Sequence, residues 1–355
     1  MNFKFLFAVL SCLFLQTGFS EICAQLRDIP VMSTPKHHLR VLQYNTWNEG
    51  GKVEGGRESI RLTIKEINPD IVLLQEIRTQ KFIDETIEYF KERGLTYYGK
   101  SLNISSAILS KYPIKSIRNS DELGKDSYAF VKAVVGIEDS EFVFYSIHLD
   151  WEHLAYYNVR GVDGQSYDYI EQWNDVDKIL AENARSRRPN EVKAIISDAE
   201  EEIKKGRIVI LGGDFNEASF RDWNEDTRNM RDHNNLVIPW ECSRMLDEAG
   251  FVDCYRSFYR NPVTHPGFTC NAGNKWADPK DLTAAVLDDR ERIDHNFYYP
   301  DKRIKLIRAM IIGPKEDFLN GKVVYFKSKD PIYTPHCIWA SDHKAILTEY
   351  KLKHK

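Results

Sequence analysis

The stretch RIVILGGDFN, residues 207–216, decides how the rest of the chain is interpreted. Its first half is a run of β-branched and other apolar residues, which is typical of a central β-strand covered on both faces. Its second half turns polar at Asp214 and Asn216, after two glycines. A carboxylate and an amide at the end of a buried strand would face the rim of a sheet, where binding sites collect on rigid scaffolds. One such strand end is weak evidence, because either residue could simply begin a solvated loop.

Apolar runs of the same kind recur on both sides of this stretch. They predict further buried strands at 39–45, 70–76, 130–137, 142–149, 292–298, 304–312 and 345–352. Between the strands, apolar residues recur at helical spacing, and three such segments stop just before Pro69, Gly94 and Gly206. Helices interleaved with buried strands predict a layered α/β fold.

The other predicted strands also end in polar side chains of one chemical type. These side chains are Asn45, Glu76, His148, Asp294, and the pair Asp342 and His343 just before the last strand. Carboxylates, amide oxygens and imidazoles are the groups that a hard divalent cation and a phosphoryl-transfer site require. Each residue alone has an ordinary structural explanation, such as a turn cap or a buried histidine. Their recurrence at one strand end after another favours a site for phosphate chemistry.

The polar strand ends also follow a recognisable order along the chain. The sequence reads QYN at 43–45, LQE at 74–76, AILSKYPI at 107–114, SIHLD at 146–150, GGDFN at 212–216, RID at 292–294 and SDH at 341–343. This ordered set resembles the signatures of the endonuclease/exonuclease/phosphatase superfamily, the DNase I-like metal-dependent phosphoesterases. The resemblance implies a four-layer α/β sandwich, in which two mixed β-sheets lie face to face between helices.

The resemblance further implies a metal-binding group and a group that handles water. Glu76 would bind a Mg²⁺-like ion, with Asn45 nearby as a further metal ligand, and Mn²⁺ or Ca²⁺ would suit the same oxygen ligands. Asp214 would orient or deprotonate the attacking water. The amide NH₂ of Asn216 would hold a phosphoryl oxygen.

The remaining residues of the set would form a histidine system around the phosphate. Asp294 would bond one ring nitrogen of His343, which fixes the tautomer and raises the basicity of the ring. His343 and His148 would then flank the phosphate as base, acid or charge stabiliser. Asp342 would either orient His343 or bind a second metal ion. The sequence does not decide whether a histidine or Asp214 activates the water.

A segment from Trp151 to Arg188 is inserted directly after the strand that carries His148, and it is rich in tyrosine and tryptophan. We expect this insertion to overhang the site, where its aromatic rings could stack on a base or sugar or meet a lipid surface. Arg160 within it could hold a second phosphate. An equally good interpretation is that the aromatic residues pack into a satellite core of their own. A second long loop, at 264–279, is expected to form the opposite lip of the site.

The N-terminus has the features of a secretory signal peptide. Lys4 precedes an apolar run from Phe5 to Leu15, which is too short to cross a bilayer as a helix. Cleavage is expected near Ala24 and Gln25, and the mature protein would be secreted or periplasmic; the alternative is a buried N-terminal helix. No later apolar segment is long enough to be a transmembrane helix. The predicted organisation is a signal peptide at 1–24, an N-terminal lead at 25–37 and a single catalytic domain at 38–355.

Four cysteines follow the predicted signal peptide, namely Cys242, Cys254, Cys270 and Cys337. Outside the cytoplasm they could form up to two disulfides, in one of three pairings. Their spacing matches no zinc-binding module.

The composition limits the function only broadly. The chain is 42% hydrophobic and 29% charged, as in an ordinary globular protein, and its formal net charge is −4. No basic excess marks a general nucleic-acid-binding protein, although a local basic patch would be enough for a nuclease. We therefore expect a phosphate ester of unknown identity as the substrate, and a phosphodiesterase as the activity. The alternatives are an extracellular nuclease acting on DNA or RNA and, with less support, a non-catalytic binding protein on the same fold.

Overall fold

The computed structural model describes residues 31–102, 105–120, 129–282, 287–288 and 290–353. The strands within these ranges are β1 (His38–Asn45), β2 (Ile71–Gln75), β3 (Tyr98–Ser101), β4 (Ser106–Ser110), β5 (Ile114–Asn119), β6 (Phe130–Ile137), β7 (Ser140–His148), β8 (Ile208–Asp214), β9 (Val252–Asp253), β10 (Asp294–Tyr298), β11 (Ile304–Ile312), β12 (Glu316–Leu319), β13 (Lys322–Tyr325), β14 (Ile332–Tyr333) and β15 (Ala345–Leu352). All eight predicted strands are present, and their ends differ from the prediction by at most two residues.

The helices lie between groups of strands along the chain. They are α1 (Trp47–Gly50), α2 (Gly56–Ile67), α3 (Gln80–Lys91), α4 (Ala155–Val159), α5 (Val176–Asn183), α6 (Arg188–Lys204), α7 (Glu241–Glu248) and α8 (Cys254–Phe258), with a 3₁₀ turn at Pro279–Asp281. The three helices predicted from apolar spacing correspond to α2, α3 and α6. The short α1 differs from the others, because it contains residues with left-handed backbone angles.

Two sheets lie at the centre of the fold. Seven strands form the first sheet in the order β14-β11-β15-β1-β2-β4-β3, and six form the second in the order β5-β6-β7-β8-β10-β9. The facing sides of the two sheets share one hydrophobic core, to which β1 contributes Leu39 and β7 contributes Phe144. Residues of α2 and α3 pack on the outer face of the first sheet, and residues of α6 and α7 pack on the outer face of the second. The predicted four-layer α/β sandwich is therefore confirmed.

The strand register brings the predicted site residues to one edge. In the first sheet β1 and β2 run parallel, so that Asn45 lies opposite Gln75, next to Glu76. In the second sheet Asp214 lies opposite His148 of β7 on one side and opposite Asp294 of β10 on the other. Positions far apart in the sequence thus become neighbours at the rim.

Some expectations concern residues at the margins of the described structure. The predicted signal peptide, with its cleavage point near Ala24 and Gln25, lies outside the described residues and stays a prediction. Across the described ranges, no helix combines the length and the apolar character that crossing a membrane requires.

The cysteines occupy separate places in the fold. Cys254 belongs to the core between the sheets, whereas Cys242 is a residue of α7 and belongs to the core on the outer face of the second sheet. In the part of the chain that the structure describes, no disulfide joins these two to each other or to Cys270 or Cys337. The structure therefore shows none of the three disulfide pairings that the sequence allowed.

Candidate active site

A pocket of about 520 Å³ opens at the edge where the strands of both sheets end. This volume lies within the usual range of small-molecule sites. Six of the nine predicted site residues line it, namely Glu76, His148, Asp214, Asn216, Asp342 and His343. Asn45 and Asp294 are fully buried and bond residues of this lining from behind.

Two histidines converge on Asp214 from opposite sides. The Nε2 atoms of His148 and His343 each lie 3.8 Å from the same carboxylate oxygen, Oδ2 of Asp214. Each ring is held at its other nitrogen: Asp294 Oδ2 accepts from His343 Nδ1 at 2.8 Å, and Ser105 Oγ bonds His148 Nδ1 at 2.6 Å. Because both Nδ1 atoms are engaged, both rings present Nε2 to the pocket. The expected Asp294–His343 pair is thus present in the structure.

Asp294 is itself positioned by residues that sequence reasoning missed. Gln43 Nε2 donates to Asp294 Oδ1 at 2.7 Å and to Gln75 Oε1 at 2.8 Å, and all three side chains are fully buried. Gln75 Nε2 in turn donates to Ser146 Oγ at 2.9 Å. These polar residues link the two sheets behind the pocket. Both glutamines could have been noticed in the sequence, because they lie inside the quoted QYN and LQE motifs.

The carboxylates of the pocket are arranged to hold a cation. Burial raises the pKa of Asp342 to about 7; the charge of His343 opposes this shift, and the negative charges of Glu76 and Asp214 add to it. Burial likewise raises the pKa of Asp214. Carboxylates gathered in a buried pocket repel one another, and a bound divalent ion relieves that repulsion. The donor set therefore fits Mg²⁺ or another hard cation.

A second grouping of potential ligand atoms is less suited to a metal ion. One atom each from Asp214, Asp294 and His343 lies within 4.8 Å of the others. However, His343 Nδ1 is bonded to Asp294, and its Nε2 faces Asp214. We interpret these three residues as a hydrogen-bonded system rather than as a ligand set.

Asn45 was predicted to be a metal ligand, and its contacts are those of an orienting residue. Its amide NH₂ donates to Asp214 Oδ2 at 2.9 Å and to Glu76 Oε1 at 3.3 Å. Its amide oxygen, which a cation would need, accepts from the backbone N–H of Trp47 at 3.0 Å. Asn45 therefore fixes two carboxylates of the pocket relative to each other.

Asn216 is also more constrained than the sequence suggested. One N–H of its amide donates to the backbone carbonyl of Leu149 at 3.0 Å, so that only the other N–H remains for a phosphoryl oxygen. Its backbone N–H donates to Asp214 Oδ1 at 2.8 Å. Asn216 thus steadies the oxygen of Asp214 that the histidines do not approach.

Left-handed backbone angles cluster around the pocket at residues other than glycine. Glu76 has a φ of 57° and Asn216 a φ of 48°. The turn at Trp47–Glu49 contains three such residues in succession, with φ between 46° and 59°. Each conformation of this kind costs roughly 1–2 kcal/mol for an ordinary residue. Strain of this kind, concentrated at pocket residues, is typical of functional sites.

A buried carboxylate, that of Glu49, holds the strained Trp47–Glu49 turn in place. Its Oε1 accepts from the backbone N–H groups of Arg78 at 2.8 Å and of Thr79 at 2.7 Å, and its Oε2 pairs with Arg57. The same turn presents the backbone N–H of Asn48 to Glu76 Oε2 at 2.9 Å. Glu49 is a second residue that sequence reasoning missed, and it supports the orientation of Glu76.

The electrostatic surroundings of His343 favour its charged form. Burial alone would lower the pKa of this imidazole, but Asp294, Cys270, Asp214 and Asp342 together raise it well above the ordinary value. These negative charges favour the imidazolium form of His343, which is suited to donating a hydrogen bond or a proton. A cation bound beside Asp342 would oppose the shift.

The outer wall of the pocket comes from the insertion and from the second long loop. Trp151, Tyr157 and Tyr167 of the insertion line it, and so do Cys270 and Asn271 of the loop at 264–279. The position of the insertion over the site agrees with the prediction, while stacking on a base or sugar and contact with a lipid surface stay predictions. The insertion overhangs the site, and most of its aromatic residues also pack into a satellite core with residues that follow β8.

The position of Arg160 contradicts the expectation that this residue could hold a second phosphate. Its side chain is fully buried, and its guanidinium pairs with the carboxylate of Glu291, which also accepts from Trp223 Nε1 at 3.1 Å. It is not among the described residues that line the pocket. A buried arginine requires such a partner, because an unpaired charge is costly in the protein interior. Arg160 therefore stabilises the satellite core and does not face a substrate.

The chain is similar to known proteins in sequence and in fold. The model of the Endonuclease/Exonuclease/phosphatase family matches residues 42–343. An uncharacterized protein of Caenorhabditis elegans is 28% identical over 271 residues, which are 73% of this chain and 78% of that protein. The human Nocturnin catalytic domain with bound sulfate has a TM-score of 0.51 at 12% identity, covering 90% of this chain and 97% of that one. D. rerio TDP2 in complex with single strand DNA product has a TM-score of 0.49 at 15% identity, covering 88% and 98%.

Proposed function

The chain belongs to the endonuclease/exonuclease/phosphatase family, and on that premise we propose that it is a divalent-metal-dependent phosphodiesterase. The family's members are metal-dependent phosphoesterases, so the chain is a hydrolase of phosphate ester bonds. One observation carries the finer proposal. His148 and His343 converge on Asp214 in a pocket that also contains Glu76 and Asp342.

The proposed mechanism follows from the needs of the reaction. A phosphate ester is anionic and resists attack, so the site must neutralise charge and align a water molecule with the leaving oxygen. When bound by Glu76 and Asp342, a Mg²⁺ ion, or Mn²⁺ or Ca²⁺ in its place, would supply the charge neutralisation. Asp214, oriented by Asn45, accepts a proton from the attacking water, and its raised pKa suits that step near neutral pH.

The two histidines complete the step on either side of Asp214. The water oxygen bonds to phosphorus as the bond from phosphorus to the leaving oxygen breaks. His343, kept charged by Asp294, donates to the phosphate or protonates the leaving oxygen. His148, held by Ser105, stabilises the charge that develops on the phosphoryl oxygens.

The proposal extends to the location and to an alternative substrate. The apolar run after Lys4 supports a secreted or periplasmic protein that is cleaved near Ala24 and Gln25. An extracellular nuclease acting on DNA or RNA is the second candidate, favoured by Arg78 and Arg187 in the lining of an otherwise acidic pocket. A non-catalytic binding protein would not need the complete catalytic set that this chain retains.

Metal removal tests the proposed function. Hydrolysis of bis-p-nitrophenyl phosphate should cease in EDTA and return with Mg²⁺ or Mn²⁺. Glu76→Gln should raise the Mg²⁺ concentration needed for half-maximal activity, because it removes a carboxylate ligand. Glu92→Gln, at a side chain that is 65% exposed, is the matched control and should change nothing. Full activity of a chelated, metal-free sample would refute the proposal.

A further inference from the structure

We propose that the pocket selects phosphate esters that carry a planar ring, as nucleosides do, and that Trp151 is the residue on which this ring stacks. The inference rests on the proposed function and names its substrate class. It is carried by the exposure of Trp151, by its distance along the chain from His148, and by the way the insertion holds it.

Among the described residues that line the pocket, Trp151 is the most exposed tryptophan or tyrosine, and Tyr167 is half-buried. Trp151 lines the pocket, and 53% of its surface is exposed. It follows His148 by three residues, so that the two Cα atoms are at most about 10 Å apart. A distance this short between Trp151 and His148 suits a ring that is attached directly to the reacting phosphate ester. It suits a ring in a distant part of a polymer less well.

The backbone on both sides of Trp151 is fixed by one buried arginine. Arg188, which is fully buried, donates through Nη1 to the carbonyls of Asp150 at 2.8 Å and Glu152 at 2.6 Å, the two residues that flank Trp151. Its Nη2 donates to the carbonyl of His153 at 2.8 Å. A side chain presented by a fixed backbone loses little entropy on binding, so its stacking energy is retained.

The surroundings of Trp151 favour a single ring over a lipid surface. The neighbouring tyrosines of the insertion, Tyr156 and Tyr157, are each 3% exposed and belong to the satellite core. Among the described lining residues, Trp151 alone is a large hydrophobic side chain that is exposed. Membrane-binding surfaces bury a broad apolar face, and the pocket instead places Arg78 and Arg187 in the same lining. Arg187 is paired with Asp150 at 3.0 Å, and Arg78 is exposed. A stacking residue in a pocket that also contains cationic side chains matches a ring-bearing phosphate.

The test compares two ligands that differ only in the planar base. Calorimetric titration in Mg²⁺ should show that the protein binds thymidine 5′-monophosphate roughly tenfold more tightly than 2-deoxyribose 5-phosphate. Trp151→Ala should abolish most of this preference, and Trp151→Phe should retain most of it. Trp276→Ala is the matched control, because Trp276 is 51% exposed but lines a different cavity. That variant should keep the full preference.

Hydrolysis of bis-p-nitrophenyl phosphate, measured in parallel, separates this inference from the proposed function. Base-selective binding that depends on Trp151, without hydrolysis of any ester, would support the inference and refute the proposed function. Hydrolysis with equal binding of the two ligands, or an unchanged preference in Trp151→Ala, would overturn the inference alone. Binding to phosphatidylcholine vesicles that depends on Trp151, without base selectivity, would also overturn it.

Discussion

The pocket has two walls that are built in opposite ways. The inner wall consists of strand ends from both sheets, and its bonds join distant parts of the chain, as Gln43 and Asp294 do across 251 positions. The outer wall consists of the insertion and the loop at 264–279, and the backbone around Trp151 is held from within the insertion, as Arg188 holds the carbonyl of Asp150 only 38 positions away. The inner wall therefore depends on bonds across the whole fold, whereas this part of the outer wall is fixed by a nearer residue. Changes in the inner wall should affect chemistry, and changes in the outer wall should affect stability or the choice of substrate.

The largest effect is expected from the inner wall, in His343→Ala. This variant removes the imidazolium that Asp294 holds against the pocket, and kcat should fall about a thousandfold. The free energy of unfolding should change much less, because the core between the sheets does not include His343. Steady-state kinetics on bis-p-nitrophenyl phosphate and urea unfolding measure the two quantities separately.

His336→Ala provides the matched control for this variant. His336 also bonds a buried carboxylate through Nδ1, that of Glu66 at 2.5 Å, but it lines another cavity. Its removal should leave kcat unchanged. Combining Asp294→Asn with His343→Ala should be scarcely worse than the worse single variant, if the pair acts as one unit. A kcat for His343→Ala within a few-fold of the unmodified protein would contradict the role given to the inner wall.

A smaller effect, on stability instead of chemistry, is expected from the outer wall in Arg188→Met. The variant keeps an unbranched apolar stem but removes the guanidinium, which leaves the carbonyls of Asp150, Glu152 and His153 without their buried donor. The free energy of unfolding should fall by about 3 kcal/mol. Urea unfolding measures this loss. If Arg188→Met unfolds at the same urea concentration as the unmodified protein, the insertion is not held as the structure indicates.

Arg185→Met is the control for the outer wall. Arg185 lies three residues earlier, its side chain is 64% exposed, and within the described ranges it pairs with Glu182. Exposed pairs of this kind contribute roughly 0–1 kcal/mol, so this variant should unfold almost as the unmodified protein does. The comparison separates the loss of a buried donor from the loss of a positive charge.

The strands that could be predicted are those with apolar residues on both faces. A run such as that of β8 is buried throughout, and burial on two faces leaves a continuous apolar pattern in the sequence. Two of the strands that were missed, β3 and β13, lie at edges and are largely exposed, so that no apolar run marks them. Their pairing depends on neighbouring strands rather than on their own composition.

The candidate site could be predicted in part for a similar reason. Residues that act directly through an ionisable side chain, such as Glu76 and His343, were predicted at the strand ends. Residues that act through partners were missed or misjudged. Gln43 orients Asp294 only because the fold brings together two positions that lie far apart in the sequence. Arg160 resembled a phosphate ligand, but its partner Glu291 lies 131 positions away and is buried with it.

The smallest expected effect concerns a residue of the inner wall that touches no substrate. Glu49 accepts from two backbone N–H groups and from Arg57, and thereby holds the strained turn whose Asn48 N–H meets Glu76. Glu49→Ala should let that turn relax, so that Glu76 loses a hydrogen bond that orients it. Supporting residues of this kind usually change metal affinity by 10- to 100-fold, which is less than the expected loss of kcat in His343→Ala. The Mg²⁺ concentration for half-maximal activity should rise by roughly tenfold.

Glu49→Gln and Glu54→Ala make this last test specific. Glu49→Gln keeps one acceptor oxygen for the backbone N–H groups of Arg78 and Thr79, so its Mg²⁺ requirement should lie between those of Glu49→Ala and the unmodified protein. Glu54→Ala removes the same charge from an exposed position five residues later and should leave the requirement unchanged. If Glu49 were merely structural, Glu49→Ala would lower the free energy of unfolding without altering the Mg²⁺ dependence of the folded protein. That result would mean that the strained turn does not orient Glu76, and that the inner wall depends on the strand ends alone.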